Sequence, residues 1–113
     1  MANDRSETVR EFNEMMRVFL EELRDVFPDD KDVARCLSGF TTLSSVNARK
    51  AVDVFVDAVG PYVEQIAARD ETIFGTFDLP GLNIQHLWDG ASGATRFCIW
   101  QYLDALMSIS SRL

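Results

Sequence analysis

The chain has 113 residues, 47% hydrophobic and 26% charged, which is enough apolar side chain for the core of one domain. With 18 acidic against 11 basic residues its net charge is -7, which disfavours direct binding of nucleic acid or of an anionic membrane surface. No apolar run approaches the roughly 18 residues that a membrane span needs, and the polar opening MANDRSETVR does not read as a signal peptide.

Residues 1–7 read as a flexible lead. From 8 to 27, Val9, Phe12, Met15, Met16, Phe19, Leu20, Leu23, Val26 and Phe27 recur at steps of three and four, one apolar stripe on an α-helix. Thr8 followed by Glu11 fits a capping box at its start. Pro28 ends it, because the residue before a proline avoids helical angles. Asp29 or Asp30 caps a second helix whose apolar face is Val33, Leu37 and Phe40, with Leu43 beyond; Gly39 weakens it and TTLSS frays its end. Asn47 caps a third, with Val52, Phe55, Val56, Val59, Val63 and Ile66 as its buried stripe and Tyr62 alongside. Gly60-Pro61 falls within it and imposes a kink or a break, since proline loses a backbone hydrogen bond and clashes with the preceding turn. Asp70 then caps a short turn through Phe74.

The stretch RDETIFGTFDLPGLN, residues 69–83, carries more apolar side chain than a surface loop ordinarily does. Two readings compete. In the favoured one the connection folds inward with Phe74 and Phe77 as plugs, because exposed apolar patches on monomers are uncommon. In the other, Phe74, Phe77, Leu79 and Leu82 meet a partner. LNIQHLW follows as a short helix beginning near Leu82 or Asn83, and Ser92 caps the last helix, roughly 93–110. Phe97, Ile99, Trp100, Leu103, Leu106, Met107 and Ile109 make that helix apolar over a wide arc, which places it centrally. No stretch alternates with period two. The fold class expected is all-α: a compact, orthogonal or bundle-like single domain over 1–113, with four main helices and one or two short ones.

Catalysis at neutral pH needs a matched acid and base, a nucleophile with its base, or a metal. The one histidine, His86, lies in a short amphipathic helix without partner groups in its motif. Cys36 and Cys98 sit among helix-forming residues and read as buried thiols acting as small apolar groups. The acids Asp25, Asp29, Asp30 and Asp32 raise the question of calcium. An EF-hand loop counted from Asp30 needs glycine and glutamate where the chain has Arg35 and Thr41, so helix capping explains them better. Zinc spacings and phosphate-binding glycine loops are absent. Trp88, Trp100 and Tyr102 read as core rather than as base-stacking platforms, because the arginines are scattered singly along the chain and form no basic stripe. Arg69, Asp70 and Glu71 form a corner in which each end charge suits its helix dipole, a structural staple through Arg–Asp contact. No catalytic residue, cofactor or metal ligand is assigned.

The order FNEMMRVFLEELRDVFPDDKDV, then FTTLSSVNARKAVDVFVDAVGPYVEQIAARDETIF, then IWQYLDALMSIS resembles a group of short uncharacterised proteins of nucleocytoplasmic large DNA viruses, many infecting algae. The shared elements are the Phe12-Asn13 start, the helix ending in Phe27-Pro28, the acidic turn, the Pro61-Tyr62 break, the Arg69-Asp70-Glu71 corner and the closing helix with Ile99, Trp100, Tyr102 and Leu103. They span roughly 11–110; residues 75–96 depart most. The resemblance implies a viral, all-helical protein of the virion or the host-cell interior, cytoplasm or nucleus, and not a secreted one. It brings no activity and no catalytic residue.

The function expected is that of a non-enzymatic viral protein that binds other proteins or forms part of the virion. The alternative is an accessory factor for viral transcription or replication that acts through a protein partner. The acidity suits a basic patch on that partner. Self-association is left open, with Phe12, Val18 and Leu82 as interface candidates.

Overall fold

The computed structural model describes residues 3–76 and 82–113. Six α-helices follow one another: α1 (Asn3–Val26), α2 (Lys31–Val46), α3 (Ala48–Val59), α4 (Val63–Ala67), α5 (Ile84–Asp89) and α6 (Gly93–Ser110). Short 3-10 turns at Gly60–Tyr62 and Glu71–Gly75 join α3 to α4 and follow α4. Four helices are long, two are short, and no strand occurs among the described residues, so the all-α expectation holds.

Five helix and turn starts sit where the sequence puts a capping side chain. Asp30 accepts from the N–H groups of Asp32 and Val33, Asn47 from Lys50, Asp70 from Thr72, Asn83 from His86, and Ser92 from Thr95. Each bond satisfies an N–H that the first turn leaves without an intrahelical partner. Pro61 breaks the third helical stretch into α3 and α4, with Pro at the start of the intervening 3-10 turn.

Three expectations are corrected. α1 begins at Asn3, not at Thr8, so residues 3–7 are helix and the Thr8–Glu11 pair lies inside it. Arg5 and Glu7 are good helix formers, and adding a turn to an existing helix costs little compared with nucleating one. The TTLSS segment stays helical to Val46: Thr41, Thr42, Ser44 and Ser45 donate their hydroxyls back to carbonyls of the preceding turn, so they do not compete for the helix's own N–H groups. Val26, Val56, Val63 and Phe97, placed in apolar stripes by their spacing, are exposed.

α6 packs along α1 and also touches α3 and α4, while α2 lies against both α1 and α3. Phe12, Phe19, Leu20 and Leu23 of α1 meet Ile99, Leu103 and Leu106 of α6 and Phe55 of α3 in one core. The radius of gyration is 13.7 Å, close to the roughly 13 Å expected of a compact chain of this length. Phe12 and Phe55 make an edge-to-face pair with centroids 5.3 Å apart, and Phe19 stacks on Tyr102 at 4.9 Å. Phe12 and Leu82 are therefore core residues, not interface residues; Val18 is exposed.

Tyr102 donates its hydroxyl to the Glu22 carboxylate, tying α6 to α1. Burial first, then the bond to Glu22, push its pKa from 10.0 up to about 12. The neutral phenol is the form the fold prefers. Its contribution is thus complete below the ordinary tyrosine value and is lost as pH rises through about 12. Unfolding titrations at pH 9 to 12 should show wild type losing more stability over that interval than Tyr102→Phe does, roughly as one tyrosine's linkage requires.

Candidate functional site

The connection after α4 is built inward where it is described. Phe74 is 1% exposed, as the favoured inward reading expects, and Leu82 is 3% exposed, so the alternative in which these two meet a partner is corrected: both are core residues. Phe74 packs on Trp88 and Trp100 with centroids 4.5 and 5.0 Å away, and the two tryptophans meet edge-to-face at 5.2 Å. Arg69 lies over Trp100 and Arg96 over Trp88, which covers the outer faces of the cluster with cations. Phe77 and Leu79 lie outside the described residues.

The Arg69, Asp70, Glu71 corner is wired differently from its expectation. Arg69 does not pair with Asp70. Its guanidinium makes two hydrogen bonds to Asp104 of α6, at 3.0 and 2.6 Å, and a third to the Ile66 carbonyl. Asp70 instead binds Thr72 through both hydroxyl and N–H, which holds its carboxyl below the usual carboxylate range. Arg69 has a φ of 58°, in the left-handed region where glycine is normal. The Arg69 N–H bonds the Ile66 carbonyl and the Asp70 N–H reaches the Gln65 carbonyl, the pattern of a helix C-terminus closed by a left-handed residue. Backbone geometry favours glycine here; the side chain's links to Asp104 and Trp100 favour arginine. Arg69→Gly should therefore be about 1 kcal/mol more stable than Arg69→Ala, the reverse of their order in a helix interior, by chemical denaturation. The exposed ion pair itself is worth about 0–1 kcal/mol.

His86 is exposed on α5, and its backbone N–H is the one that Asn83 caps. Cys36 and Cys98 are half-buried rather than fully enclosed, and no disulfide joins them. Burial pushes the Cys36 thiol up, away from the reactive thiolate. Among the described residues no three His, Cys, Asp or Glu side chains gather as a metal site, and no helix is long and apolar enough to cross a membrane.

The concave surface lies elsewhere, across α1, α2 and α3. An almost wholly apolar pocket of about 300 Å³ opens between Met16 and Leu20 of α1, Cys36, Gly39, Phe40 and Leu43 of α2, and Val54 and Phe55 of α3. Arg35 is the charged residue on its rim. Gly39 helps to keep it open: a Cβ built there would meet nothing within 4 Å. Gly39→Ala should thus raise stability by about 1 kcal/mol, the helix-propensity difference, read as a higher denaturation midpoint with unchanged slope.

Phe40, half-buried, also borders a second and larger groove of about 760 Å³. One wall is the stripe Ser6, Arg10, Asn13 and Arg17 on α1, with Arg5 beside it; the other is the end of α2 and start of α3, with Thr41, Ser44, Ser45 and Arg49. Asn13 ties the walls together by donating to the Ala48 carbonyl at 2.9 Å, and its own Oδ1 is buried without a donor from the described chain. Four of the nine arginines thus line one groove, and Glu14 is the carboxylate among them. The expectation of singly scattered arginines holds along the chain but fails in space. Arg10 and Arg17 are two helical turns apart on one face, and the turn at Asn47 brings Arg49 opposite them. The heptad spacing of Arg10 and Arg17 was the sequence signal; the closing wall carried none.

Compared with protein-family models, with curated proteins and with solved structures, the chain matches none.

Proposed function

We propose that this chain is a non-enzymatic protein-binding module whose working surface is the concave face across α1, α2 and α3. The observation that carries the reading is the meeting of an apolar pocket and an arginine-lined groove at Phe40. An open apolar pocket beside a charged groove is suited to seat a partner's side chain. Recognition of this kind needs an apolar anchor to supply affinity and polar neighbours to fix orientation.

The order of motifs along the chain supports a setting in a large DNA virus of the kind that infects algae, in the particle or inside the host cell. The inventory of proteins in purified particles, together with affinity capture from infected cells, tests this. The reading expects the chain in particles or in a stable complex; absence from both contradicts it.

A further inference from the structure

We infer that the partner is an acidic protein segment that places one bulky apolar side chain in the pocket beside Gly39 and its carboxylates against Arg10, Arg17 and Arg49. This rests on the protein-binding reading above and assigns the chemistry of the partner. The net charge of -7 by itself points to a basic partner; the local charge of the groove points the other way.

Guanidinium groups grip carboxylates through paired N–H donors. Among the described residues Arg5 and Arg10 have no ion-pair partner. Arg17 pairs with Glu14 and Arg49 with Asp53, both on their own helices and both half-exposed. Such pairs are worth little in water and exchange readily for a better-placed carboxylate. The hydroxyls supply the complementary half. Thr41, Ser44 and Ser45 already donate their hydrogens to carbonyls of Leu37, Thr41 and Thr42. Their oxygens are left as acceptors, suited to the side-chain N–H donors of a polypeptide, such as Asn or Gln. A nucleic-acid backbone offers phosphates to the arginines but no N–H along its length.

The spacing of the two hollows limits the partner further. On α1 the pocket is bounded by Met16 and Leu20, and the groove runs from Arg5 to Arg17. Their centres are about seven residues apart, roughly 10 Å along the helix. A helical partner therefore carries its anchor about two turns from its acids.

The test uses the full chain and labelled helical peptides of about 16 residues, read by fluorescence anisotropy and by chemical-shift mapping. The probe carries one Phe and, about seven residues away, three Glu on the same face. Two control peptides replace Phe by Ala, or the Glu residues by Lys; a short single-stranded DNA and inorganic polyphosphate complete the set. The Phe-Glu peptide is expected to bind about 10- to 100-fold more tightly than its Ala control, the effect of burying one Phe. It should shift resonances at Arg10, Phe40 and Arg49. The double variant Arg10→Glu/Arg49→Glu should weaken it at least about tenfold, and more at low salt than at high. Gly39→Leu fills the pocket, is checked for an unchanged or higher melting temperature, and should erase the advantage of Phe over Ala while leaving the Ala control unaffected.

Tighter binding of the Lys peptide on this face would overturn the acidic partner while leaving the protein-binding reading in place. Binding of DNA or polyphosphate alone, through the same arginines, would overturn both. No saturable binding by any peptide, or binding indifferent to the arginine and glycine variants, would also overturn the inference.

Discussion

Phe74→Ala is expected to destabilise the fold by about 3–5 kcal/mol, measured as a fall in the denaturation midpoint. The ring is 1% exposed and lies between Trp88 and Trp100, so its removal takes away both apolar burial and two aromatic contacts. The surrounding indoles are held by α5 and α6 and cannot close the space without moving those helices. Phe74→Leu, which keeps most of the volume, should cost less, about 1.5 kcal/mol. Tryptophan fluorescence should change in Phe74→Ala even under native conditions, because both neighbours are indoles. A loss below about 1 kcal/mol would mean that the ring is on the surface, and the partner-contact reading of this segment would return.

Phe12→Ala and Phe55→Ala should each cost about 3–5 kcal/mol as well. Phe12 is fully buried and Phe55 is 2% exposed, and their edge-to-face contact joins α1 to α3. Because the two rings touch, the double variant should lose less than the sum of the singles, by about 0.5–1.5 kcal/mol. These losses are a large share of the roughly 5–15 kcal/mol of a typical domain, so the double variant is expected to be partly unfolded at room temperature. If Phe12→Ala changed the oligomeric state instead, and left the monomer's stability alone, Phe12 would be an interface residue after all.

The local features of this fold were legible because they are local. Asp30, Asn47, Asp70, Asn83 and Ser92 each act on an N–H two or three residues away, so residue type and position carry the information. Pro61 acts on its own turn in the same way. What the sequence concealed depends on residues far apart in it. The partner of Arg69 is Asp104, 35 positions on, and the left-handed backbone of Arg69 has no glycine to mark it. Phe97 belongs to a helix apolar over so wide an arc that spacing alone does not say which edge stays outside; it is 61% exposed. The arginine groove needs α1 laid beside the α2–α3 turn, and net charge averages it away.

That exposed Phe97 is also the rival to the proposed surface, since a bulky aromatic ring in water is itself a plausible contact for a partner. Both sites accept a photo-crosslinking phenylalanine analogue without a change of shape, one at position 40 and one at position 97, in cells that express the full chain. The account predicts a discrete protein adduct from position 40, weakened by Arg10→Glu/Arg49→Glu, and none from position 97. An adduct from position 97 alone, indifferent to those arginines, would contradict it.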